Sequence, residues 1–237
     1  MFFFILFAKK YLKMVKLSKY KLFGNAKIYV TNFNRIKKGA KYMRDNIHLL
    51  TIEEIAKEIE KCEKCPLYQT RTKVVPGEGN SHSKVIFIGE APGEEEDFKG
   101  KPFIGRAGQL FSKILQSVDI KRENIFITNM LKCRPPGNRN PSKSEIETCL
   151  PYLEAQIALI NPKIIVTLGN IPTQFFLETT KGITKLRGNW FDWLGEIKIF
   201  PMFHPSYLCR NESTAPGSPK AKTWKDIQTL KEAMDDF

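Results

Sequence analysis

The sequence predicts an α/β fold with a mostly parallel sheet and helices on both of its faces. Three observations support this prediction: short β-branched and aromatic runs, amphipathic segments between them, and the regular alternation of the two. The apolar runs lie at residues 85–88, 124–131, 163–168 and 196–203. Because parallel strands need right-handed crossover connections, the intervening helices cover both faces of such a sheet.

The first predicted helix starts near Thr51, because Thr51 and Glu54 have the spacing of a capping box. Its apolar residues lie on one helical face, namely Ile52, Ile55, Ala56 and Ile59. The helix leads into Cys62 and Cys65, and residues 66–83 are predicted to form a loop.

The run at 85–88 has the composition of a strand buried on both faces, and it ends at Gly89. Pro92 and Gly93 disfavour regular structure, so the acidic run that follows is predicted to be a loop. That run contains Glu94, Glu95, Glu96 and Asp97.

Several further helices are predicted between and after the strands. One is predicted for residues 106–117, and another begins where Ser142 and Glu145 form a second capping box. Pro151 is expected to break or restart that helix, since proline is tolerated in a first turn. A short helix is predicted near Pro172, and Ser218 opens a final helix with Trp224, Ile227, Leu230 and Met234 on its inner face.

The positive charge is concentrated at the N-terminus. The whole chain of 237 residues has a net charge of +13. Residues 1–50 contain ten Lys and two Arg against one acid, Asp45, which is a net charge of +11 and leaves only +2 for the rest. The pI alone is therefore no argument that the folded domain binds nucleic acid.

We divide the chain into a basic N-terminal extension, residues 1–45, and one domain, residues 46–237. Three interpretations of the extension compete: a basic DNA-binding arm, a membrane-surface helix, and sequence upstream of the true start, with Met43 just before the domain. The third is favoured, because residues 1–45 have no clean periodicity. No apolar run is long enough to span a bilayer, so we expect a cytoplasmic protein without a membrane partner.

Three polar side chains follow predicted strands. Glu90 follows the first strand, Asn129 lies near the end of the second, and His204 follows the fourth. Each residue alone has an ordinary structural explanation, such as a solvated loop or a helix cap. Because the carboxyl ends of parallel strands share one sheet edge, the carboxylate, the carboxamide and the imidazole are predicted to form a site there.

Two loops next to these strand ends have features of a nucleic-acid site. Ala91 and Gly93 give a backbone without bulk, which a flat ligand can approach closely, and Phe103 is a candidate stacking platform if it is not simply core. The segment after His204 is predicted to be a rigid loop with an apolar tip that wedges into a base stack while polar groups hold phosphate. Its candidate DNA contacts are Ser206, Leu208 and Arg210.

Four of the five cysteines are candidate metal ligands. Cys62 and Cys65 form a C-x-x-C pair, and Cys133 and Cys149 follow much later, whereas Cys209 is interpreted as a bystander. Four thiolates at one point suit zinc or an iron–sulfur cluster, and their spacing does not decide between these. Buried spare thiols are the competing explanation.

The motifs GEAPGEEEDFKGKPFIG, TNMLKCRPPGNR and HPSYL, taken together, resemble the family 4 uracil-DNA glycosylases, the iron–sulfur branch of that superfamily. The resemblance covers roughly residues 51–237. It implies a three-layer α/β/α sandwich with a central four-stranded parallel sheet, excision of uracil from single- or double-stranded DNA, and a [4Fe-4S] cluster on Cys62, Cys65, Cys133 and Cys149. We also expect a monomer.

The resemblance also implies roles for site residues. Phe103 would stack on the flipped base, Asn129 would pair with its N3 and O4 edge, and His204 would face O2. Ala91 stands where the better-known branch has a water-activating Asp, so Glu90, Glu96 or a main-chain carbonyl would hold the water. The usual second leucine after Leu208 is replaced by Cys209.

Two alternatives to this function remain open from the sequence. A family 5-like glycosylase would also hold a cluster but accept a broader range of bases, although its first motif differs from Gly89-Glu90-Ala91-Pro92-Gly93. A non-catalytic iron–sulfur DNA-binding module would bind DNA without releasing a base.

Overall fold

The computed structural model describes residues 51–236. The predicted extension, residues 1–45, lies outside the described residues, as do residues 46–50 of the predicted domain and Phe237. The helices in chain order are α1 Ile52–Glu60, α2 Glu94–Lys99, α3 Arg106–Gln116, α4 Lys143–Ile160, α5 Asn170–Phe176, α6 Ile183–Leu186, α7 Pro205–Cys209 and α8 Pro219–Asp235. The strands are β1 Glu78–Gly79, β2 Val85–Gly89, β3 Phe126–Asn129, β4 Ile164–Leu168, β5 Phe191–Trp193 and β6 Ile197–Met202.

The described strands form one sheet in the order β1-β3-β2-β4-β6-β5. The four inner strands pair in parallel, which confirms the predicted parallel core. The sheet is nevertheless six-stranded, because β1 and β5 add antiparallel edges. These edge strands have two and three residues, too few for a recognisable alternation of side chains in the sequence.

The sheet has a separate apolar core on each of its two faces. Val85 and Phe87 of β2 pack with α3 and α8, whereas Ile86 and Ile88 pack with α4 and α5. All five residues of β2 are buried, as its uninterrupted apolar run predicts. The result is the expected three-layer α/β/α architecture.

The acidic run after β2 is a helix and not the predicted loop. Helix α2 begins after Gly93 and ends at Gly100, whose φ of 77° suits glycine. Its first turn contains the four carboxylates Glu94, Glu95, Glu96 and Asp97. Negative charge at a helix N-terminus interacts favourably with the helix dipole, which explains why so acidic a segment is helical.

Helix α4 differs from the prediction at Pro151. Its capping box is present as predicted, with Ser142 accepting from the Glu145 main-chain N–H and Glu145 accepting from that of Ser142. The helix continues through Pro151 without a break. Ile146 and Leu150 before the proline and Leu153 after it pack in the apolar core on this face of the sheet, which offsets the lost hydrogen bond.

The C-terminal helix matches the prediction except at its first aromatic residue. Ser218 caps α8 by accepting from the Ala221 N–H, and Ile227 and Leu230 are fully buried. Trp224 is 46% exposed and does not lie on the inner face. Among residues 51–236, no helix is long and apolar enough to cross a membrane.

Candidate active site and metal centre

The carboxyl ends of β2 and β3 lie side by side and bring Gly89 next to Asn129. The two residues are paired in the parallel register. A Cβ on Gly89 would lie 2.3 Å from Asn129 Oδ1 and 2.6 Å from Phe103 Cζ. Any side chain at position 89 would therefore displace the carboxamide and the aromatic ring, and glycine leaves that space open.

The side-chain oxygen of Asn129 has an unmet hydrogen-bonding requirement. Asn129 is 2% exposed, and its Oδ1 is a buried atom without a hydrogen-bond partner among the described residues. An unpaired buried acceptor costs about 1–3 kcal/mol. Such an atom in a native site indicates a missing donor, which a ligand can supply.

Phe103 forms an aromatic wall beside Asn129. Its ring centroid lies 5.2 Å from that of Phe111 and 5.6 Å from the His204 imidazole. The residue is 6% exposed, so it is both part of the core and a boundary of the site. Its backbone φ is 51°, in the left-handed region that non-glycine residues rarely adopt.

His204 ends the segment after β6 and caps α7. The main-chain N–H of Ser206 donates to Nδ1 over 3.1 Å, so Nδ1 has no proton and Nε2–H is the ring donor. Burial lowers the pKa of His204 to about 4, nearby Arg210 acts in the same direction, and Glu96 opposes them. The imidazole is therefore a neutral donor near pH 7.

The two candidate carboxylates have different surroundings. Glu96 Oε1 accepts from the main-chain N–H groups of Ile104, over 2.9 Å, and Gly105, over 2.8 Å. The carboxylate thus holds the loop next to Phe103. The half-buried side chain of Glu90 has no polar partner that the described residues supply, and burial raises its pKa.

The small residues of the first loop also lie at this edge of the sheet. Ala91 and Gly93 are half-buried, between β2 and α2. A Cβ on Gly93 would lie 2.7 Å from Glu96 Oε2, so glycine makes room for that carboxylate. Gly169, with φ of 92°, likewise lets His204 approach the backbone closely, since a Cβ on Gly169 would lie 3.0 Å from the His204 Cβ.

The segment after His204 is helix α7 and not a loop. Leu208 is 1% exposed and packs with Ile183 and Phe203, so it does not form the predicted exposed tip. It is buried because α7 turns its apolar side inward. Ser206 is half-buried against His204, whereas Arg210 is exposed.

The four predicted ligand cysteines line one cavity, together with side chains that include Ile59, Leu67 and Tyr152. Cys62 and Cys65 follow α1, Cys133 follows β3, and Cys149 lies on α4. The Arg71 guanidinium donates to Cys133 Sγ and the Lys132 main-chain N–H to Cys149 Sγ, each over 3.3 Å. Cys209 lies outside this cavity, as predicted for a bystander.

Burial favours the protonated form of two of the cavity thiols. It raises the pKa of Cys133, and it raises the pKa of Cys149 to about 12. Within residues 51–236, no three histidine, cysteine or acidic side chains gather around a point that would hold a single ion.

The contacts of two further residues in these sites are not predictable from the sequence. The Arg122 guanidinium donates to the main-chain oxygens of Pro102 and Phe103. Lys132 is fully buried, and its ammonium donates to the Asn129 main-chain oxygen over 2.8 Å. Arg122 lies in no motif of recognisable spacing. Lys132 lies within TNMLKCRPPGNR, but nothing in that motif shows that its ammonium is buried against the Asn129 backbone.

The parallel sheet, with polar and aromatic side chains gathered at its carboxyl edge, has the architecture of α/β enzymes that bind their ligands at that edge. The family model described as Uracil DNA glycosylase superfamily matches residues 76–228. The chain belongs to this superfamily, and within it to the type-4 enzymes.

Similarity to curated relatives supports the more specific placement. The type-4 uracil-DNA glycosylase of Thermotoga maritima is 50% identical over 163 residues, 68% of this chain and 85% of the relative. That of Saccharolobus solfataricus is 46% identical over 199 residues, 80% of this chain and 87% of the relative. A type-5 uracil-DNA glycosylase of Mycobacterium leprae is 27% identical over 197 residues, 66% of this chain and 85% of the relative.

Proposed function

We propose that this protein excises uracil from DNA by hydrolysing the N-glycosidic bond, as the first step of base excision repair. The observation that supports this activity most directly is the unpaired, buried Asn129 Oδ1 next to an aromatic wall. A flipped uracil would offer its N3–H to that oxygen and its O4 to the carboxamide N–H₂ group. Cytosine has a bare N3 and an amine at position 4, so it would leave both groups mispaired.

Phe103 would stack on the flipped base. Stacking on an aromatic ring stabilises an extruded base and does not depend on its identity, so discrimination rests with Asn129. Gly89 keeps the space between the ring and the carboxamide open. Ala91 and Gly93 would let the base approach the backbone of the first loop.

His204 would act on the leaving group. Cleavage of the glycosidic bond places negative charge on the pyrimidine, and the Nε2–H of a neutral imidazole would donate to O2 as that charge forms. The orientation is preorganised, because the Ser206 N–H fixes the ring through Nδ1. No proton needs to leave His204 in this step.

The attacking water requires a polar group near the sugar. Of the three candidates, Glu96 is already engaged by the N–H groups of Ile104 and Gly105, whereas Glu90 has an uncommitted carboxylate. We therefore assign the positioning of the water to Glu90 and the shaping of the first loop to Glu96. A dissociative reaction needs little base strength, so orientation of the water is sufficient.

Ser206 and Arg210 would contact DNA phosphate beside the site. Arg210 is exposed and has the charge for this contact. Leu208 is not assigned the role of a wedge, because it is buried in α7. The partner would be uracil-containing DNA, single- or double-stranded, bound by a protein monomer located in the cytoplasm.

We propose a [4Fe-4S] cluster as the cofactor, held by Cys62, Cys65, Cys133 and Cys149. The donor set fits, because four thiols from three separate segments line one cavity and two of them accept hydrogen bonds from N–H groups. The bound cluster would supply cross-linking of these segments rather than chemistry at the base. The steps at the glycosidic bond belong to the side chains at the sheet edge.

The direct test is incubation with an oligonucleotide that contains one uracil, followed by alkali to cleave abasic sites. We expect strand cleavage at uracil and none in the matched oligonucleotides with thymine or cytosine. DNA binding without cleavage would instead support the non-catalytic module. Comparable release of other deaminated bases would support the broader range of a family 5-like enzyme.

A further inference from the structure

Phe103 is held in a backbone conformation that it would not adopt by itself. Its φ of 51° is unfavourable for an aromatic residue, and such conformations persist only where the surroundings enforce them. In this conformation the ring lies between Phe111 and His204. Relaxation of the backbone to a negative φ would move the ring away from the place where a base would stack.

Arg122 supplies contacts that stabilise this conformation. Its Nη1 donates to the Phe103 main-chain oxygen over 3.1 Å, and its Nη2 donates to that of Pro102 over 2.9 Å. Nη1 also donates to Ser112 Oγ over 3.2 Å. The planar guanidinium therefore binds two successive carbonyl groups at once, which the single ammonium of a lysine would not reproduce.

The opposite side of the same turn is also fixed. Glu96 accepts from the two N–H groups that follow Phe103. Gly108 of α3 packs directly on the Phe103 backbone, and a Cβ there would lie 1.9 Å from the Phe103 carbonyl carbon. Arg122 is the partner that fixes the carbonyl side of the turn.

We propose that Arg122 is a positioning residue for uracil excision, which acts only through the placement of the Phe103 ring. This inference rests on the proposed function, in which Phe103 stacks on the flipped base. Arg122 lies between α3 and β3. Its hydrogen bonds are with the backbone of the Phe103 turn and with Ser112, and the carboxylate of Glu78 interacts electrostatically with it. Its removal should therefore impair catalysis without a change in the groups that touch the base.

A double-mutant cycle tests this route of action. Arg122→Met, Phe103→Ala and the double variant are compared with the wild type by single-turnover excision from a uracil oligonucleotide. We expect Arg122→Met to lower the rate by about 10²-fold, since a displacement of roughly 1 Å in a positioned group has such an effect. In the Phe103→Ala background, the same substitution should lower the rate by less than about 3-fold, because the two residues act as one unit.

Chemical rescue adds a readout that a general loss of stability would not produce. Guanidinium ion at low concentration should restore part of the rate of Arg122→Ala while leaving the wild-type rate unchanged. Arg122→Lys should remain impaired, because it loses the two-carbonyl geometry. Ser112→Ala is the matched control: it removes the hydroxyl partner of Arg122, together with the bond from that hydroxyl to the Gly108 main-chain oxygen, and leaves both carbonyl contacts of Arg122 in place. Its rate should stay within about 2-fold of wild type.

The possible results distinguish a wrong role for Arg122 from a wrong stacking role for Phe103. A full-rate Arg122→Met variant, an equal loss in the Phe103→Ala background, or the absence of rescue by guanidinium would overturn the role of Arg122 and leave base stacking intact. A full-rate Phe103→Ala variant would instead overturn the stacking role, and the inference with it. Thermal melts of every variant ensure that the rates refer to folded protein.

Discussion

Asn129 and His204 face the same ring in the proposed site, but they should contribute to different properties of the enzyme. Asn129→Asp removes the N–H₂ donor to O4, so we expect uracil excision to fall by roughly 10⁴–10⁵-fold, with a trace of cytosine release. His204→Ala removes the donor to the developing anion, so the single-turnover rate should fall by about 10²–10³-fold. Binding to DNA and the preference among bases should stay nearly unchanged in the His204 variant.

Single-turnover kinetics on matched uracil and cytosine oligonucleotides, together with equilibrium DNA binding, measure this division of labour. If His204→Ala relaxed base choice at a near-normal rate, the two roles would be assigned the wrong way round. Full uracil activity in Asn129→Asp would remove the recognition role of the carboxamide.

The depressed pKa of His204 predicts a dependence of stability on pH. The pKa is about 4 in the folded protein, below the ordinary value of 6.5, so the unfolded chain binds more protons between these values. The contribution of neutral His204 to the free energy of unfolding is complete above pH 6.5 and is lost as the pH falls toward 4. Urea unfolding of the wild type and His204→Gln should show a shallower pH slope for the variant, and equal slopes would contradict the burial argument.

Residue types at the site were predictable, but their partners were not. Asn129, His204 and Glu90 stand out in the sequence because each lies at or just beyond the end of a strand. Whether Glu96 binds water or a loop depends on the distance to Ile104 and Gly105, which are eight and nine residues away. The burial of Leu208 likewise depends on contacts with Ile183 and Phe203, which no local pattern reveals.

Helix α4 links the proposed metal centre to the core, so its N-terminal cap should affect stability without affecting chemistry. Ser142→Ala removes the acceptor for the Glu145 N–H, and we expect the free energy of unfolding to fall by about 1 kcal/mol. Ser144→Ala, two residues further into the same turn, is the control and should cost less. Urea unfolding measures the difference, and a lower excision rate per folded molecule would show that the cap does more than stabilise the helix.

Strands with long apolar runs were predicted correctly from the sequence. Helices α2 and α4, which follow and contain a proline, were not, because other interactions outweigh its local effect. The inner strands were predictable because each has four or more consecutive buried residues, as in Val85–Gly89. Helix α2 was missed because Pro92 and Gly93 suggested a loop, although its acidic first turn favours a helix. Helix α4 continues through Pro151 because apolar packing on both sides of the proline outweighs the loss of a main-chain hydrogen bond.

The four cavity thiols belong to three segments that are distant in the sequence, so the proposed cluster should contribute to the folding free energy of the domain. Purified protein should be brown and contain about four irons per chain, as the cluster formula implies. Cys62→Ser or Cys133→Ser should bleach the protein and lower its melting temperature. Cys209→Ser is the matched control and should keep both colour and stability, because Cys209 lies outside the cavity. Stoichiometric zinc in a colourless wild type would overturn the assignment.

The distribution of charge over the whole chain leads to a prediction about residues 1–42. Residues 1–50 carry a net charge of +11 out of +13, whereas the superfamily match begins only at residue 76. A protein that starts at Met43 should therefore fold and excise uracil as fast as the full chain. Because residues 1–42 contain most of the excess lysines, the non-specific DNA binding of the shortened protein should depend less steeply on salt concentration than that of the full chain. Excision kinetics and binding titrations over a range of salt concentrations measure both effects. A large loss of turnover on short oligonucleotides would show that the basic segment belongs to the working enzyme.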